Sequence, residues 1–407
     1  MAIATPAPVT PPDRSAIPPA LFNACFVLFI LNAAFFPTAW FSHWWIYDPA
    51  GRGIPTDFVN VWAAGRLVLD GMPALAYDWD IQKKVELAVL GQDFVGYFAW
   101  HYPPPFLFVA TFLAQFPYAV AFIGWMAISI VPYLAVVRSI VGRSFGLMLA
   151  LAAPMVFSNT LVGQNGFLTA ALIGGTLYLL PVRPVLAGIC LGLLSYKPQY
   201  GLLFPLVLIA AGHWRAFVAA AVTVVSLVFV SWLAFGIEAW QAFVHWMPRF
   251  SQAFLSEGQA AWWKLQSLYA LLRFLGGGEQ FAWAVHWVFT AAVATTLVLM
   301  WRSRVPYTLK AAALAAGTLL ITPYLFMYDM TVLAIPVAFL VRLGLNSGFR
   351  PYELPALALA VALIVTFIFT GIPGGLGATL IVAGVVLRRA GPWWRREPSQ
   401  VLAPAGA

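Results

Sequence analysis

Residues 21–45 have the sequence LFNACFVLFILNAAFFPTAWFSHWW. This apolar run is long enough to cross a bilayer, which takes about 20 residues. A secretory signal peptide ends in a small-residue cleavage site, whereas aromatic residues and His43 close this run. We therefore interpret residues 21–45 as a retained first transmembrane helix.

The whole chain is strongly apolar. Of its 407 residues, 62% are hydrophobic and 9% are charged, against about 45–50% and about 25% in soluble domains. A soluble fold of this size needs a charged exterior, so the composition excludes a soluble enzyme and a disordered chain. Cys25 and Cys190 both lie inside apolar runs, which excludes a disulfide scaffold and favours thiols that pack as small hydrophobes. We expect an all-α polytopic membrane protein.

Apolar runs recur along the chain and predict about 12 transmembrane helices, several of them short. The runs lie near 21–45, 118–137, 144–158, 166–181, 184–197, 199–212, 216–235, 281–301, 308–322, 326–343, 355–372 and 376–388. Two long stretches between them, 46–117 and 236–280, are predicted to be outer loops that do not span the membrane.

The first outer loop is predicted to contain short helices. Amphipathic segments lie near 57–69 and 80–90. The segment 104–116 is apolar but too short to cross, so we expect a helix that lies at the membrane interface.

The distribution of charge predicts the orientation. With the N-terminus in the cytoplasm, 14 of the 22 Lys and Arg residues lie on the cytoplasmic side and 11 of the 14 acidic residues on the outer side. This follows the positive-inside rule and places tails at 1–20 and 391–407 in the cytoplasm, around a transmembrane domain at 21–390. The net charge of +8 then faces anionic lipid, without any nucleic-acid partner. We expect a multi-pass protein of a bacterial inner or plasma membrane.

The C-terminal basic cluster has two interpretations. The segment from Arg388 to Arg396, which includes Trp393 and Trp394, is most simply an anchor on anionic lipid. The alternative is a segment that binds a protein partner.

Polar residues interrupt the apolar runs at three predicted outer turns. They are Ser158-Asn159 with Gln164-Asn165, Tyr196-Lys197-Pro198-Gln199, and Tyr324 with Tyr328-Asp329. Polar groups that face lipid are expensive, so we expect these turns to gather around a cavity at the outer membrane surface. The sequence shows no metal-ligand spacing, phosphate-loop glycine pattern or nucleophile elbow.

Lys197 and Asp57 are the most informative charged candidates. Lys197 lies in a tight turn before Pro198, where it is suited to pair with an anionic head group such as a phosphate; the alternative is a lysine that snorkels to the interface. Asp57 is suited to take a proton from an attacking hydroxyl. Its alternative is a helix N-cap, because Thr56-Asp57 opens an amphipathic segment.

The remaining polar candidates also leave alternatives open. Gln164 and Asn165 are suited to bind sugar hydroxyls or to cap their turn. Asp329 is expected to face the cavity, or else to act as a helix N-terminal charge. His101 is expected to be structural, at a join between a loop and a helix. The tryptophans at 240–263 favour an interfacial belt over a sugar platform.

A set of short motifs lies along the chain. They are Asp57-Phe58, Trp62-Ala63-Ala64-Gly65, Gly71 with Tyr77, Tyr102-Pro103-Pro104, Gly163-Gln164-Asn165, Arg183 to Gly188, Lys197-Pro198, Gln266-Ser267-Leu268 with Arg273, and Thr322-Pro323-Tyr324. In their order and spacing, these motifs resemble the GT-C membrane glycosyltransferases. More narrowly, the chain resembles glycosyltransferase family 87, which includes polyprenyl-phosphate-mannose-dependent α-mannosyltransferases. The resemblance covers roughly residues 20–390.

The resemblance implies a GT-C fold and an inverting transfer of one sugar that needs no metal or cofactor. The donor would be a polyprenyl-phosphate sugar, mannose by default, and the acceptor a hydroxyl of a lipid or glycan at the outer face. By motif match Asp57 would be the general base and Lys197 would hold the donor phosphate, assisted by Lys264 or Arg249. The other candidate substrate-binding residues are Gln164, Asn165, Tyr102, His101, Gln266, Tyr328 and Asp329.

One segment departs from the family pattern. Mannosyltransferase members often have a Trp/His pattern after the late Ser/Thr-Pro, where this chain has Leu325-Phe326-Met327-Tyr328-Asp329. The departure leaves the donor sugar and the acceptor open, and the oligomeric state is open as well.

Two other classes of protein compete with a glycosyltransferase. A transporter or lipid flippase would also have many broken helices with polar groups. However, the chain shows no matching halves, and its polar residues cluster at the outer ends of the runs. A non-catalytic assembly factor would predict that Asp57→Asn has no effect.

Overall fold

The computed structural model describes residues 16–392, which are helical and have only isolated β-bridges in place of strands. The sequence-based expectations for most of the two tails lie outside the described residues. These include the charges at Arg14, Arg395 and Arg396 and the anchor residues Trp393 and Trp394.

The helices are numbered α1 to α17 along the chain. They are α1 Pro19–Phe41, α2 Phe58–Leu69, α3 Trp79–Leu90, α4 Leu107–Leu113, α5 Tyr118–Val141, α6 Phe145–Ala152, α7 Pro154–Val162, α8 Gly166–Leu179, α9 Pro184–Leu193, α10 Leu203–Ala210, α11 Trp214–Ser251, α12 Leu268–Phe274, α13 Glu279–Arg302, α14 Tyr307–Leu320, α15 Ala334–Ser347, α16 Glu353–Thr370 and α17 Gly375–Ala390. Among the 3₁₀ turns between them are Leu194–Tyr196, Pro198–Gly201, Trp262–Lys264 and Met327–Leu333.

Six helical segments in the described range are long and apolar enough to cross a membrane. The bent pair α6 and α7, which meet at 60°, raises the number to seven when counted as one span. The sequence predicts about 12 spans, and that count is not confirmed. The difference comes from shorter helices such as α8, α9, α10 and α14, whose apolar runs fall below the length of a straight crossing.

Two of these short helices form the centre of the bundle. In both α8 and α14, 11 of the 14 residues are buried. Both sequences are rich in Ala and Gly, which allows neighbouring helices to approach closely. In contrast, α1 buries only Cys25 and Ala39 and lies at the periphery.

Helix α11 differs from the sequence-based expectation of an outer loop that starts at residue 236. The helix continues to Ser251, and a π-helical turn follows at Gln252–Ser256. Gly236 accommodates the break with φ +77° and ψ 171°, a conformation open to glycine. The part of α11 beyond this break packs against the folded outer loop, as the contact between Phe243 and Tyr77 shows.

Residues 46–117, which the sequence predicts to be the first outer loop, form a small packed unit on the ends of the bundle. Helix α2 packs against α3 and α4. Gly65 makes the approach to α4 possible, since a Cβ atom there would lie 2.0 Å from the Ala110 carbonyl oxygen. The indole N–H of Trp62 donates to the Phe116 carbonyl at 3.0 Å, which ties α2 to the start of α5.

We expect Gly65→Ala to lower the melting temperature of the detergent-solubilised protein. The added methyl group overlaps the α4 backbone, and overpacking of this kind costs about 1–3 kcal/mol. The matched control is Gly124→Ala in α5, where a Cβ atom has nothing within 4 Å and alanine favours the helix. Equal melting temperatures for the two variants would contradict the close packing of α2 on α4.

Candidate active site

A chain of hydrogen bonds holds the carboxylate of Asp57. Its Oδ2 accepts a hydrogen bond from Gln164 Nε2 at 3.3 Å. Gln164 Oε1 accepts from the Tyr102 hydroxyl at 3.1 Å and from the backbone N–H of Asn165 at 3.1 Å. Although Asp57 directly precedes α2, its side chain makes no capping hydrogen bond. The structure therefore turns this carboxylate toward Gln164 instead of the helix N-terminus.

The turn that presents Gln164 is fixed by two glycines and an asparagine. Gly163 ends α7 with φ +70°, and a Cβ atom there would lie 2.6 Å from Phe58 Cβ. Asn159 Oδ1 accepts from the Gly166 N–H at 2.7 Å and thereby caps α8. Asn159 supplies this cap and Gln164 Oε1 accepts the Asn165 N–H of the same turn, so neither turn hydrogen bond occupies the Asn165 side chain.

The ammonium group of Lys197 forms a buried ion pair. Lys197 Nζ donates to Asp329 Oδ1 at 2.6 Å, and the two residues are 4% and 2% exposed. Pro198 directly after Lys197 ends one short helical turn and begins another, which holds the lysine in a fixed turn. Asp329 Oδ2 also accepts from the Phe326 N–H at 3.4 Å, so the carboxylate caps its own turn as well as pairing with Lys197.

Three tyrosine rings surround the Lys197 ammonium group. The distances from Nζ to the ring centroids are 6.0 Å for Tyr102, 5.9 Å for Tyr200 and 5.4 Å for Tyr328. Aromatic faces attract cations at such distances. These rings close off the ion pair and join the Lys197 turn to the Asp57 chain through Tyr102.

Lys264 is the second lysine near the site, and it is exposed. Its Nζ lies 5.4 Å from the Trp263 ring centroid. Gln266 fixes this segment, because its Nε2 donates to the Lys264 carbonyl at 3.0 Å and its Oε1 accepts from the Gly375 N–H at 2.9 Å. The Gln266 N–H also donates to the Leu325 carbonyl at 2.7 Å. The segment around Lys264 is therefore bound to the turn at Leu325 and to the start of α17.

His101 is stacked between aromatic rings. Its centroid lies 4.5 Å from Tyr102 and 4.4 Å from Phe250, and its Nδ1 lies 3.0 Å from the Ala99 carbonyl oxygen. Burial, assisted by the charge of Lys197, lowers the pKa of His101 to about 4. The ring is therefore neutral near pH 7, and if Nδ1 carries the proton, Nε2 can accept a hydrogen bond.

Arg249 lies on a different aromatic surface. Its guanidinium carbon is 5.1 Å from the Trp79 ring centroid and 5.9 Å from that of Trp246, and the residue is exposed. The structure thus places the sequence-predicted residues in two groups. Arg249 lies on the Trp79 surface, whereas the others lie at or beside one site. The residues at the site are Asp57, Tyr102, Gln164, Lys197, Lys264, Tyr328 and Asp329, and the residues beside it are His101, Asn165 and Gln266.

Electrostatics tune Asp57 within this group. Burial raises the pKa of the Asp57 carboxyl to about 6, and the charge of Asp329 acts in the same direction. The hydrogen bond from Gln164 and the charges of Lys264 and Lys197 oppose this shift. A carboxyl with a pKa near 6 is ionised at neutral pH and still basic enough to accept a proton in a reaction.

Several buried polar atoms at the site have no hydrogen bond in the described structure. They include both polar side-chain atoms of Asn165, whose amide lies beside the Tyr102 hydroxyl without a well-aligned hydrogen bond to it. Buried polar groups are normally paired, so these atoms are suited to contact a bound molecule. No group of three or more His, Cys, Asp or Glu residues within 16–392 is placed to share a metal ion.

In the sequence, Asn159, Tyr196 and Tyr324 stood out as polar interruptions without an assigned role, whereas Tyr200 did not stand out. Tyr196 lies inside the site, where its hydroxyl is 2.6 Å from Thr169 Oγ1, and Tyr324 contacts His101. The available signal for Tyr200 was its position directly after Pro198-Gln199, beside the polar interruption that contains Lys197.

We expect the stability of Asp57→Asn relative to the native protein to depend on pH. Because the folded-state pKa lies above the ordinary value of 3.8, ionisation of Asp57 lowers the free energy of unfolding as pH rises from about 4 to 6. The variant lacks this ionisation, so its melting temperature should rise relative to that of the native protein as the pH increases across this range.

The matched control is Asp70→Asn at the other end of α2. Asp70 is exposed and pairs with Arg66 at 3.0 Å, a surface contact worth about 0–1 kcal/mol. Its melting-temperature difference should stay small at every pH. The same flat dependence for Asp57→Asn would contradict a raised pKa.

Of the comparisons with known proteins, the one with family models gave a match. A sequence model of glycosyltransferase family 87 matches residues 100–323. The match includes the turns that carry Tyr102, Gln164 and Lys197, begins after Asp57 and ends before Asp329. Comparisons with curated proteins and with solved structures gave no match. With more than half of its length matched, the chain belongs to glycosyltransferase family 87.

Proposed function

We propose that the protein is an inverting glycosyltransferase that uses a polyprenyl-phosphate sugar as donor. It moves one sugar, mannose by default, to a hydroxyl of a lipid or glycan acceptor at the outer face of the membrane. The observation that carries the proposal is the Asp57 carboxylate. Gln164 donates a hydrogen bond to it, and the positive charges of Lys197 and Lys264 act on it. Family membership supports sugar transfer, and the apolar helices support a lipid-linked donor.

The proposed reaction is a single displacement with Asp57 as general base. Asp57 takes the proton of the acceptor hydroxyl as the hydroxyl oxygen bonds to the anomeric carbon of the sugar. The bond from that carbon to the phosphate oxygen breaks, and its electron pair stays on the phosphate. The donor phosphodiester, with one negative charge, becomes a phosphate monoester with two, so no general acid is needed.

Fixed cations stabilise the charge that develops on the leaving phosphate. Lys264 fits this role, because it is exposed and, among residues 16–392, forms no ion pair. Lys197, which the family resemblance assigns to the phosphate, already bonds to Asp329. In that role Lys197 would have to share its ammonium with the phosphate or release Asp329.

The buried polar groups beside Asp57 fit a sugar. The Asn165 amide offers a donor and an acceptor beside the Tyr102 hydroxyl, and hydroxyl groups of a sugar can bond to both. Neutral His101 adds an acceptor when Nδ1 carries its proton, and Tyr328 adds an aromatic face next to Lys197. These contacts support a sugar site between the Gln164 turn and the Tyr328 turn.

A donor screen tests the proposal. Purified protein in nanodiscs receives radiolabelled polyprenyl-phosphate mannose, glucose, galactose or arabinose with a membrane-lipid extract as acceptor. We expect a labelled product from one donor and a loss of about 10²–10⁴ in rate for Asp57→Asn, the usual contribution of a general base.

The control variant is again Asp70→Asn, which removes a carboxylate from the same helix outside the hydrogen-bond chain and should retain the native rate. A native rate in Asp57→Asn would remove Asp57 from the mechanism. If no donor is transferred or hydrolysed, the glycosyltransferase proposal fails, and liposome flux assays then test a flippase.

We expect kcat/KM to fall with acid below about pH 6, because protonated Asp57 cannot accept the hydroxyl proton. The decrease should approach about tenfold per pH unit, with a plateau above pH 7. In Gln164→Leu the acid limb should move to higher pH, since the lost hydrogen bond stabilised the ionised carboxylate. A native profile that stays flat between pH 5 and pH 7 would contradict Asp57 as the base.

A further inference from the structure

The Lys197–Asp329 ion pair is too enclosed to act as an open binding site. Both residues are at least 96% buried, and the rings of Tyr102, Tyr200 and Tyr328 surround the ammonium group. A phosphate that replaced Asp329 as the partner of the Lys197 ammonium would leave the Asp329 carboxylate buried without its cation. Breaking a buried pair in this way is strongly unfavourable, because the remaining charge loses both water and its partner.

The ion pair is connected to Asp57 by a short series of contacts. The Lys197 ammonium lies 6.0 Å from the centroid of the Tyr102 ring. The Tyr102 hydroxyl donates to Gln164 Oε1, and Gln164 Nε2 donates to Asp57 Oδ2. The Tyr102 hydroxyl therefore helps to position the Gln164 amide, which in turn bonds to the Asp57 carboxylate.

The ion pair also joins two turns that come from distant parts of the chain. Asp329 is 132 residues from Lys197, and its turn packs closely on the start of α8. A Cβ atom at Gly166 would lie 2.3 Å from the Tyr328 carbonyl oxygen. The pair thus holds the α8 turn, which carries Gln164, between the Lys197 and Asp329 turns.

Lys264 has the opposite surroundings. It is exposed, rests on the Trp263 ring, and forms no ion pair in the described part of the chain. Its charge still acts on Asp57. A phosphate can approach this ammonium without removing a buried partner.

We propose that Lys197 and Asp329 are positioning residues, which hold Asp57 through Tyr102 and Gln164, and that Lys264 is the lysine that contacts the donor phosphate. This inference rests on the proposed function and assigns different roles to the two lysines of that site. It predicts that the ion pair affects turnover, whereas Lys264 affects the binding of a lipid phosphate.

The first experiment measures the binding of farnesyl phosphate to the purified full chain by calorimetry. The variants are Lys264→Gln, the double variant Lys197→Met with Asp329→Leu, and Asp329→Asn. The double variant removes both charges, a replacement that buried pairs often tolerate, and Asp329→Asn keeps the shape of the side chain.

We expect Lys264→Gln to weaken farnesyl phosphate binding about tenfold or more, as the loss of a charge-assisted contact does. The other two variants should bind within about threefold of the native protein. Weaker binding by tenfold in the double variant would overturn the inference. So would tighter binding in Asp329→Asn, since that change frees Lys197 for a phosphate.

The second experiment measures transfer with the donor found in the screen. We expect the double variant to lower kcat about tenfold or more with KM for the donor nearly unchanged, and to move the acid limb of kcat/KM to higher pH. Of the two removed charges, that of Lys197 acts on the Asp57 pKa more strongly than that of Asp329, so the loss of charge and a weakened Gln164 hydrogen bond both move the acid limb to higher pH. The fall in kcat at a nearly unchanged KM is therefore the readout of positioning. A native kcat and pH profile in a folded double variant would overturn the positioning role.

The two proposals fail in different ways. Binding is measured without turnover, so farnesyl phosphate that binds to a native protein without transferase activity would reject the proposed function and leave the comparison of lysines in place. Failure of the native protein to bind farnesyl phosphate would overturn the inference together with the proposed donor. Melting temperatures above the assay temperature for all variants serve as the control for folding.

Discussion

The ion pair between Lys197 and Asp329 is the contact on which the geometry of the site depends. Each residue interrupts an apolar segment, and neither charge can stay unpaired at 4% and 2% exposure. Their attraction therefore brings two turns together that are 132 residues apart. The α8 turn between them, with Asn159 as its cap and Gln164 as its buried donor, acquires a fixed position relative to Asp57.

The sequence predicted the helical class but not the number of straight crossings. Hydropathy responds to apolar length and composition, which do not distinguish a helix that faces lipid from one enclosed by other helices. Helices α8 and α14 are of the second kind, and their 14 residues match the apolar runs at 166–181 and 308–322 without reaching the length of a span. The end of α11 was missed for a related reason. Its turns beyond Gly236 carry polar residues because they pack beside the outer loop, outside the longest apolar stretch.

Sequence alone identified most residues of the candidate site but few of the contacts between them. The polar interruptions identified the Gln164, Lys197 and Asp329 turns, because unpaired polar groups are rare in apolar helices. Whether Asp57 caps α2 or faces Gln164 could not be predicted, since Gln164 lies 107 residues away. The Lys197–Asp329 ion pair and the exposure of Lys264 likewise depend on the tertiary structure. Family membership shows sugar transfer, while the assignment of roles to these residues comes from their contacts.

Charge balance explains why one base and one accessible cation suffice in the proposed reaction. Asp57 and Asp329 together offset Lys197 and Lys264, so the four groups sum to zero before the donor enters. The donor brings one negative charge, and during transfer the phosphate gains a second while Asp57 becomes neutral. The site therefore carries the same net charge before and after the chemistry, and negative charge moves only from Asp57 toward the phosphate beside Lys264. Once Asp57 loses its proton to solvent, repulsion between the carboxylate and the phosphate dianion favours release of the lipid product.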